Sequence, residues 1–193
     1  MTVGRETLEK AILNALNNAK ELYEEGEILK REKKYARAYT LFHLAIEEVG
    51  KVYVIFKYLL ANDYSDKKLK KFDTEFRQHK TKIDLSTNID VFALWAKDGA
   101  LSDQILENAT YSKEQIDKLN NLKNFSLYSF ILNGNSYNPS DVIGSEDVDQ
   151  INLIAEYRIK GTEDLTNIFL SDLDRLIGVV AKSKIENINT TSK

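Results

Sequence analysis

Apolar positions recur along the chain every three or four residues, the spacing of one helix face rather than of a strand. Between Thr7 and Lys30 the stripe runs through Leu8, Ala11, Ile12, Ala15, Leu16, Ala19, Leu22 and Tyr23. Glu9, Lys10, Lys20 and Glu24 take the remaining surface. This predicts a first amphipathic helix. A second, from about Lys34 to Ala61, puts Leu41, Phe42, Ala45, Ile46, Val49 and Tyr53 on one broad face. Leu44, Val54, Ile55 and Phe56 spill onto other faces. A helix apolar on nearly every side is either central in its fold or covered by a partner chain.

Shorter stripes follow. Leu69, Phe72, Phe76, His79 and Ile83 predict one continuous third helix, entered from a turn at Asn62-Asp63-Tyr64-Ser65 with Ser65 as N-cap. The stretch from Asp90 to Lys97 reads as a helix closed by Asp98-Gly99, and Leu101 to Asn108 as a short one. The residues after Ser112 read as a helix reaching about Phe125. One short candidate strand, Leu127 to Leu132, precedes turn chemistry at Asn133-Gly134-Asn135 and Asn138-Pro139-Ser140-Asp141. The last pattern starts at Ser145 and carries Val148, Ile151, Ile154, Leu165, Ile168, Phe169, Leu173, Leu176 and Val180, with Gly161 expected to bend or interrupt it. The fold expected is all-α, a bundle of about five to seven helices with one Asn/Gly/Pro loop. A single domain is expected over residues 1–186, with a flexible polar tail at 187–193.

Composition narrows the chemistry. A chain of 193 residues is long enough to bury its own core as one domain. A single proline fits long uninterrupted helices. The absence of cysteine excludes disulfides, thiolate metal sites and cysteine nucleophiles. The histidines are His43 and His79 alone, and no phosphate-loop, dinucleotide or metalloprotease motif occurs. No metal and no cofactor are therefore expected. A net charge of −3 gives no global attraction to nucleic acid, so any basic site must be local. No run approaches the ~20 apolar residues of a membrane span. The N-terminus lacks the layout of a signal peptide. A cytoplasmic protein with no membrane partner is the expectation.

Three stretches carry polar groups into this helical pattern. The first is Glu47-Glu48-Val49-Gly50-Lys51, inside the second helix, with His43 one turn before Glu47. Glu47 and Lys51 are spaced to pair on a helix surface. Gly50 costs roughly 1 kcal/mol against alanine, which implies close packing there. The second is Arg77-Gln78-His79-Lys80-Thr81-Lys82, which follows Lys67, Lys68, Lys70 and Lys71 and forms the most basic segment. On the apolar stripe His79 is expected to point inward, either as a core residue or as a proton shuttle among cations. The third is Lys123-Asn124-Phe125-Ser126-Leu127-Tyr128 and the loop after it. Inward polar groups on separate helices are expected to meet. Glu48, Lys51, His79 and Asn124 or Tyr128 are expected in one connected site.

Together the stretches A-I-E-E-V-G-K (Ala45 to Lys51), R-Q-H-K-x-K (Arg77 to Lys82) and K-N-x-x-L-Y (Lys123 to Tyr128), followed by Pro139, resemble the AbiV family of bacterial abortive-infection proteins. That family lies in the HEPN superfamily of helical domains acting on nucleic acid. The resemblance implies phage resistance, a HEPN fold and action on RNA. HEPN ribonucleases usually carry an Arg-x(4–6)-His motif and cut RNA without metal, commonly from a site completed by a second subunit. This chain departs from the motif: Lys123 and Tyr128 have the spacing but replace both residue types. Arg37 and His43 have the spacing but lie in the second helix, and Arg77 and His79 are too close.

On this reading His79, Tyr128, Lys123 and Arg77 are the candidate catalytic residues. Glu47, Glu48, Lys51, Lys80, Lys82 and Asn124 bind or orient. RNA is the expected partner, together with a second copy of the chain in a homodimer and a phage-encoded protein as trigger or antagonist. The alternative is a non-catalytic helical module that blocks a process by binding a protein or nucleotide.

Overall fold

The computed structural model describes residues 3–98, 106 and 109–191, with backbone alone in 95–98 and 183–191. Its described residues form eight α-helices and one small hairpin. The helices are α1 (Arg5–Arg31), α2 (Tyr35–Ala61), α3 (Asp66–Arg77), α4 (His79–Leu85), α5 (Asn88–Asp98), α6 (Lys113–Leu127), α7 (Ser145–Ser171) and α8 (Leu173–Thr191). Between α6 and α7 lie β1 (Phe130–Leu132), β2 (Asn135–Tyr137) and a 3-10 turn at Pro139–Asp141. The chain is the all-α bundle its periodicity predicts.

The central element is α2. It packs against α1, α3, α4, α6, α7 and α8. Val54, Ile55 and Phe56, on its secondary faces, are buried within the chain itself. Ile55 therefore needs no second copy to cover it, and the sequence argument for a dimer loses that residue. Two cores flank the helix. One gathers Ile12, Val49, Val52, Ile55, Leu59 and Phe169; the other gathers Tyr39, Phe42, Ile46, Val148 and Ile151.

The third stripe does not form one helix. Gln78 adopts an extended backbone (φ −76°, ψ 117°) and separates α3 from α4. The break lets α4 lie directly on α2 at Gly50. A Cβ there would stand 2.0 Å from the Lys82 carbonyl oxygen. The backbone turns at Gln78, so His79 opens α4 as an exposed residue rather than continuing the apolar face.

Elsewhere local chemistry sets the boundaries. Ser112 caps α6: its Oγ accepts from the Gln115 N–H, and Gln115 Oε1 accepts from the Ser112 N–H at 2.7 Å. Asn133 (φ 50°) and Gly134 (φ 78°) turn the hairpin, in which Phe130 pairs with Tyr137. Gly161 does not interrupt α7. It admits Ile89 against the helix, where a Cβ would lie 2.6 Å from Ile89 Cγ1. The helical backbone of α8 runs past Asn187, where the polar tail is expected to begin, because no glycine or proline follows Gly178. The short helix expected at Leu101 to Asn108 lies outside the described residues except for Leu106.

The Gly50 contact generates a test. Gly50→Ala should push α4 off α2 and destabilise the protein by about 1–3 kcal/mol, as overpacking does. Thermal unfolding followed by circular dichroism reads this directly; an unchanged midpoint would contradict the close approach.

Candidate functional site

The side chain at the centre is Glu47, on the face of α2 that meets both α4 and α6. It is 2% exposed. Its Oε2 accepts from His79 Nδ1 at 2.6 Å and pairs with Lys82 Nζ at 3.0 Å. Its Oε1 pairs with Lys123 Nζ at 3.2 Å, and His43 Nε2 stands 3.5 Å away. Lys82 and Lys123 are buried as well. The first polar stretch thus supplies a carboxylate, and the second and third each bring side chains to it.

The positioning has local causes. Glu47 follows His43 by one turn of α2, so both face the same way. Gly50, one turn further on, seats the backbone of Lys82 and directs its ammonium back to Glu47. The end of α6 is fastened to α2 by a buried bond between Thr40 Oγ1 and Ser126 Oγ at 2.7 Å, and by Arg37 Nη1 donating to the Leu127 carbonyl at 3.1 Å. Ser126 Oγ also donates to the Lys123 carbonyl. These contacts aim Lys123 at Glu47.

The charges do not cancel. One carboxylate faces two buried ammonium groups, leaving one positive charge in excess before either histidine is counted. Burial alone raises the pKa of Glu47, but the nearby His43 ring, the hydrogen bond from His79 and the charges of Lys82 and Lys123 outweigh it. Its carboxyl is held well below the usual carboxylate range. Burial lowers the pKa of His43, a direction the nearby Glu47 only partly opposes. Neither ring nitrogen of His43 has a hydrogen-bond partner among the described residues.

His79 differs from His43 in access. Its side chain is 55% exposed while Nδ1 is bound to Glu47. With the proton on Nδ1 donated to the carboxylate, Nε2 carries the lone pair. A carboxylate-oriented imidazole at a surface can accept or deliver a proton there. The excess positive charge behind it favours an anion in front. Among the described residues, no group of three or more His, Asp or Glu side chains is disposed to hold a metal ion.

Other sequence candidates lie differently. Lys51 pairs with Glu48 at 2.5 Å and stacks over Phe76, not with Glu47. Glu47 is turned into the core while Lys51 stays near the surface, so the i,i+4 pair cannot form. Arg77 bonds Asp73 on the exposed side of α3. Lys80 bonds Asp117 of α6 at 2.6 Å. Asn124 and Tyr128 are exposed, Tyr128 at 62%. Glu47 joins His79, Lys82 and Lys123; Glu48 and Lys51 form a separate pair.

A second polar group escaped the sequence reading. Arg158 is buried in α7, donating to Ser86 Oγ at 2.8 Å and to Asp90 Oδ2 at 2.7 Å. The signal was an arginine on the stripe of Ile151, Ile154 and Ala155, four residues after Ile154.

A family model described as AbiV, of the HEPN group, matches residues 7–159, well over half of the chain. No curated protein and no solved structure matches it.

Removing the hub should be costly. Glu47→Ala leaves two buried ammonium groups unpaired, and breaking such a pair costs about 3–5 kcal/mol. For a chain of this size that lowers Tm by roughly 6–20 °C. Stability should also fall with acid. Burial holds the pKa of His43 in the fold below its ordinary value, so the unfolded chain takes up its proton first as pH drops below about 6.5, and folding weakens. Glu47, held low, adds a further loss in the same direction below its ordinary value of 4.5. Unfolding midpoints measured from pH 8 to 4 should be flat above 6.5 and decline below it. A His43→Leu variant should lose the upper part of that slope.

Proposed function

The chain belongs to the AbiV family of HEPN proteins, associated with abortive infection, and from that premise we propose that it acts on RNA as a metal-independent endoribonuclease. The observation that carries this reading is the exposed His79 imidazole, held through Nδ1 by a buried glutamate that two buried lysines surround. A phosphodiester in front of it would meet the unbalanced positive charge. Exposed Lys80 and Arg77, next to His79 in the chain, would share its negative charge.

In that mechanism His79 Nε2 takes the proton of a ribose 2′-hydroxyl. The 2′-oxygen attacks the adjacent phosphorus, the bond from phosphorus to O5′ breaks, and O5′ leaves with a proton from solvent or the Tyr128 hydroxyl. Glu47 stabilises the imidazolium that forms, as the carboxylate of a catalytic triad does. Lys82 and Lys123 keep Glu47 ionised in its buried setting and supply field to the transition state. Glu48, Lys51 and Asn124 would bind or orient the RNA beyond the reacting phosphate. The protein works in the cytoplasm as a homodimer. A cleavage activity of this kind must be restrained before infection, so a phage-encoded protein releases or antagonises it.

The test uses purified protein and total RNA in EDTA, with and without phage lysate. Cleavage is expected at substoichiometric protein, with chelation making no difference. His79→Ala should lower it at least a hundredfold, the usual worth of a general base, and abolish phage protection while the protein stays folded. RNA bound in equimolar complex but left intact would favour the binding module instead. Cleavage lost in EDTA and restored by one divalent ion would overturn the mechanism.

A further inference from the structure

A second concavity lies apart from the Glu47 cluster. It has a volume of about 680 Å³ and is bordered by α5, the residues leading into α6, and α7. Asp90, Leu94, Tyr111, Gln115, Tyr157 and Arg158 are among its walls. Tyr111, Gln115 and Ile154 also line a narrower cleft of about 280 Å³ that runs between α6 and α7 to Tyr39.

The walls are built rather than incidental. Arg158 is 2% exposed, clamped by Ser86 and Asp90, and covered by the Tyr111 ring 4.9 Å from its guanidinium carbon. Its Nε is buried with no partner among the described residues. Ile89, seated on Gly161, fixes the neighbouring Asp90 against α7. Asp90 Oδ2 accepts from Arg158 Nη2, and its Oδ1 has no partner among the described residues. Gln115 uses Oε1 on the Ser112 cap, and its amide N–H groups have no partner among the described residues.

The chemistry of this cavity contrasts with that around Glu47. Arg158 and Asp90 cancel, so nothing here favours a phosphate. What the walls offer is two tyrosine rings, one carboxylate acceptor and one amide donor. A neutral planar ligand with donors and acceptors on its edge matches that set, and nucleobases are such ligands. Tyr157, half-exposed at the rim, supplies a stacking face. Helix α4 links the two sites: His79 is its first residue and Ser86, which anchors Arg158, is its C-cap. Those ends are about 10 Å apart along the helix.

We propose that this cavity is a nucleobase-binding site that receives a base of the RNA on which His79 acts. The proposal rests on the RNA reading above for its substrate, but base binding can be measured without cleavage.

The experiment is equilibrium dialysis of the full chain, supported by saturation-transfer NMR, against the four nucleoside 5′-monophosphates and ribose 5-phosphate. At least one mononucleotide should bind tenfold or more tightly than ribose 5-phosphate. Tyr157→Ala should weaken that binding about tenfold, the loss expected for one stacked base, and leave ribose 5-phosphate unchanged. Ala93→Leu, which fills the cavity from α5, should do the same by a different route. His79→Ala should retain base binding. Mononucleotides that bind no better than ribose 5-phosphate, or that bind equally well to both cavity variants, would overturn the inference. Base binding without any RNA cleavage would uphold the cavity and sink the catalytic reading; cleavage without base binding would do the reverse.

Discussion

The structure turns on one buried carboxylate. Glu47 sits in the middle of the central helix, where an unpaired charge would be prohibitively unfavourable. It is tolerable only because groups from α4 and α6 reach it: His79 and Lys82 from one, Lys123 from the other. The dependence is mutual. Lys82 and Lys123 are buried too and have Glu47 as their shared counter-charge. A set of three buried ions is therefore satisfied only when α2, α4 and α6 have all docked. Such a cluster specifies an arrangement more than it adds stability, since desolvation offsets much of the Coulombic gain.

That constraint explains features that look uneconomical alone. Glycine in a helix interior weakens it, yet at Gly50 the missing side chain is what lets the Lys82 backbone reach α2. A break at Gln78 gives up helical hydrogen bonds, yet a continuous third helix would hold one course along α2 and could not turn His79 and Lys82 toward Glu47. The buried Thr40–Ser126 bond brings the third segment to the same place. In each case local preference yields to the need to surround one charge.

The sequence made much of the fold legible and less of the site. Long stripes with good periodicity, such as those of α1 and α2, end within a few residues of where they are expected, because burying an apolar face dominates there. The failure at Gln78 is instructive. Phe76 and Ile83 keep helical spacing across it, so periodicity cannot reveal an extended residue between two helices with different directions. The same spacing makes His79 read as inward. At the site, residue types and stretches were readable, but partners were not. Glu47 and Glu48 are adjacent acids, and the sequence alone does not say which one enters the core. The rotation of α2 decides it: Glu47 falls on the side of His43, between α4 and α6, while Glu48 falls beside Lys51 near the surface. Arg158 was missed because an arginine on an apolar stripe is easily read as a long side chain reaching solvent.

The same geometry bears on how this chain departs from the usual Arg-x(4–6)-His pattern. Lys123 and Tyr128 have the spacing, but their side chains lie in different surroundings. Lys123 turns into the protein and neutralises Glu47, whereas Tyr128 stands exposed at the C-cap of α6. Arg37 and His43 also have the spacing, yet His43 is buried beside Glu47 with no hydrogen-bond partner among the described residues, and Arg37 holds the Leu127 carbonyl. The accessible imidazole comes from α4, two residues after Arg77, and its orientation comes from α2. An imidazole and its cations are thus assembled from three helices rather than from one short motif. Any chemistry at His79 depends on α4 being docked, because Glu47 fixes the ring only while Lys82 is seated on Gly50.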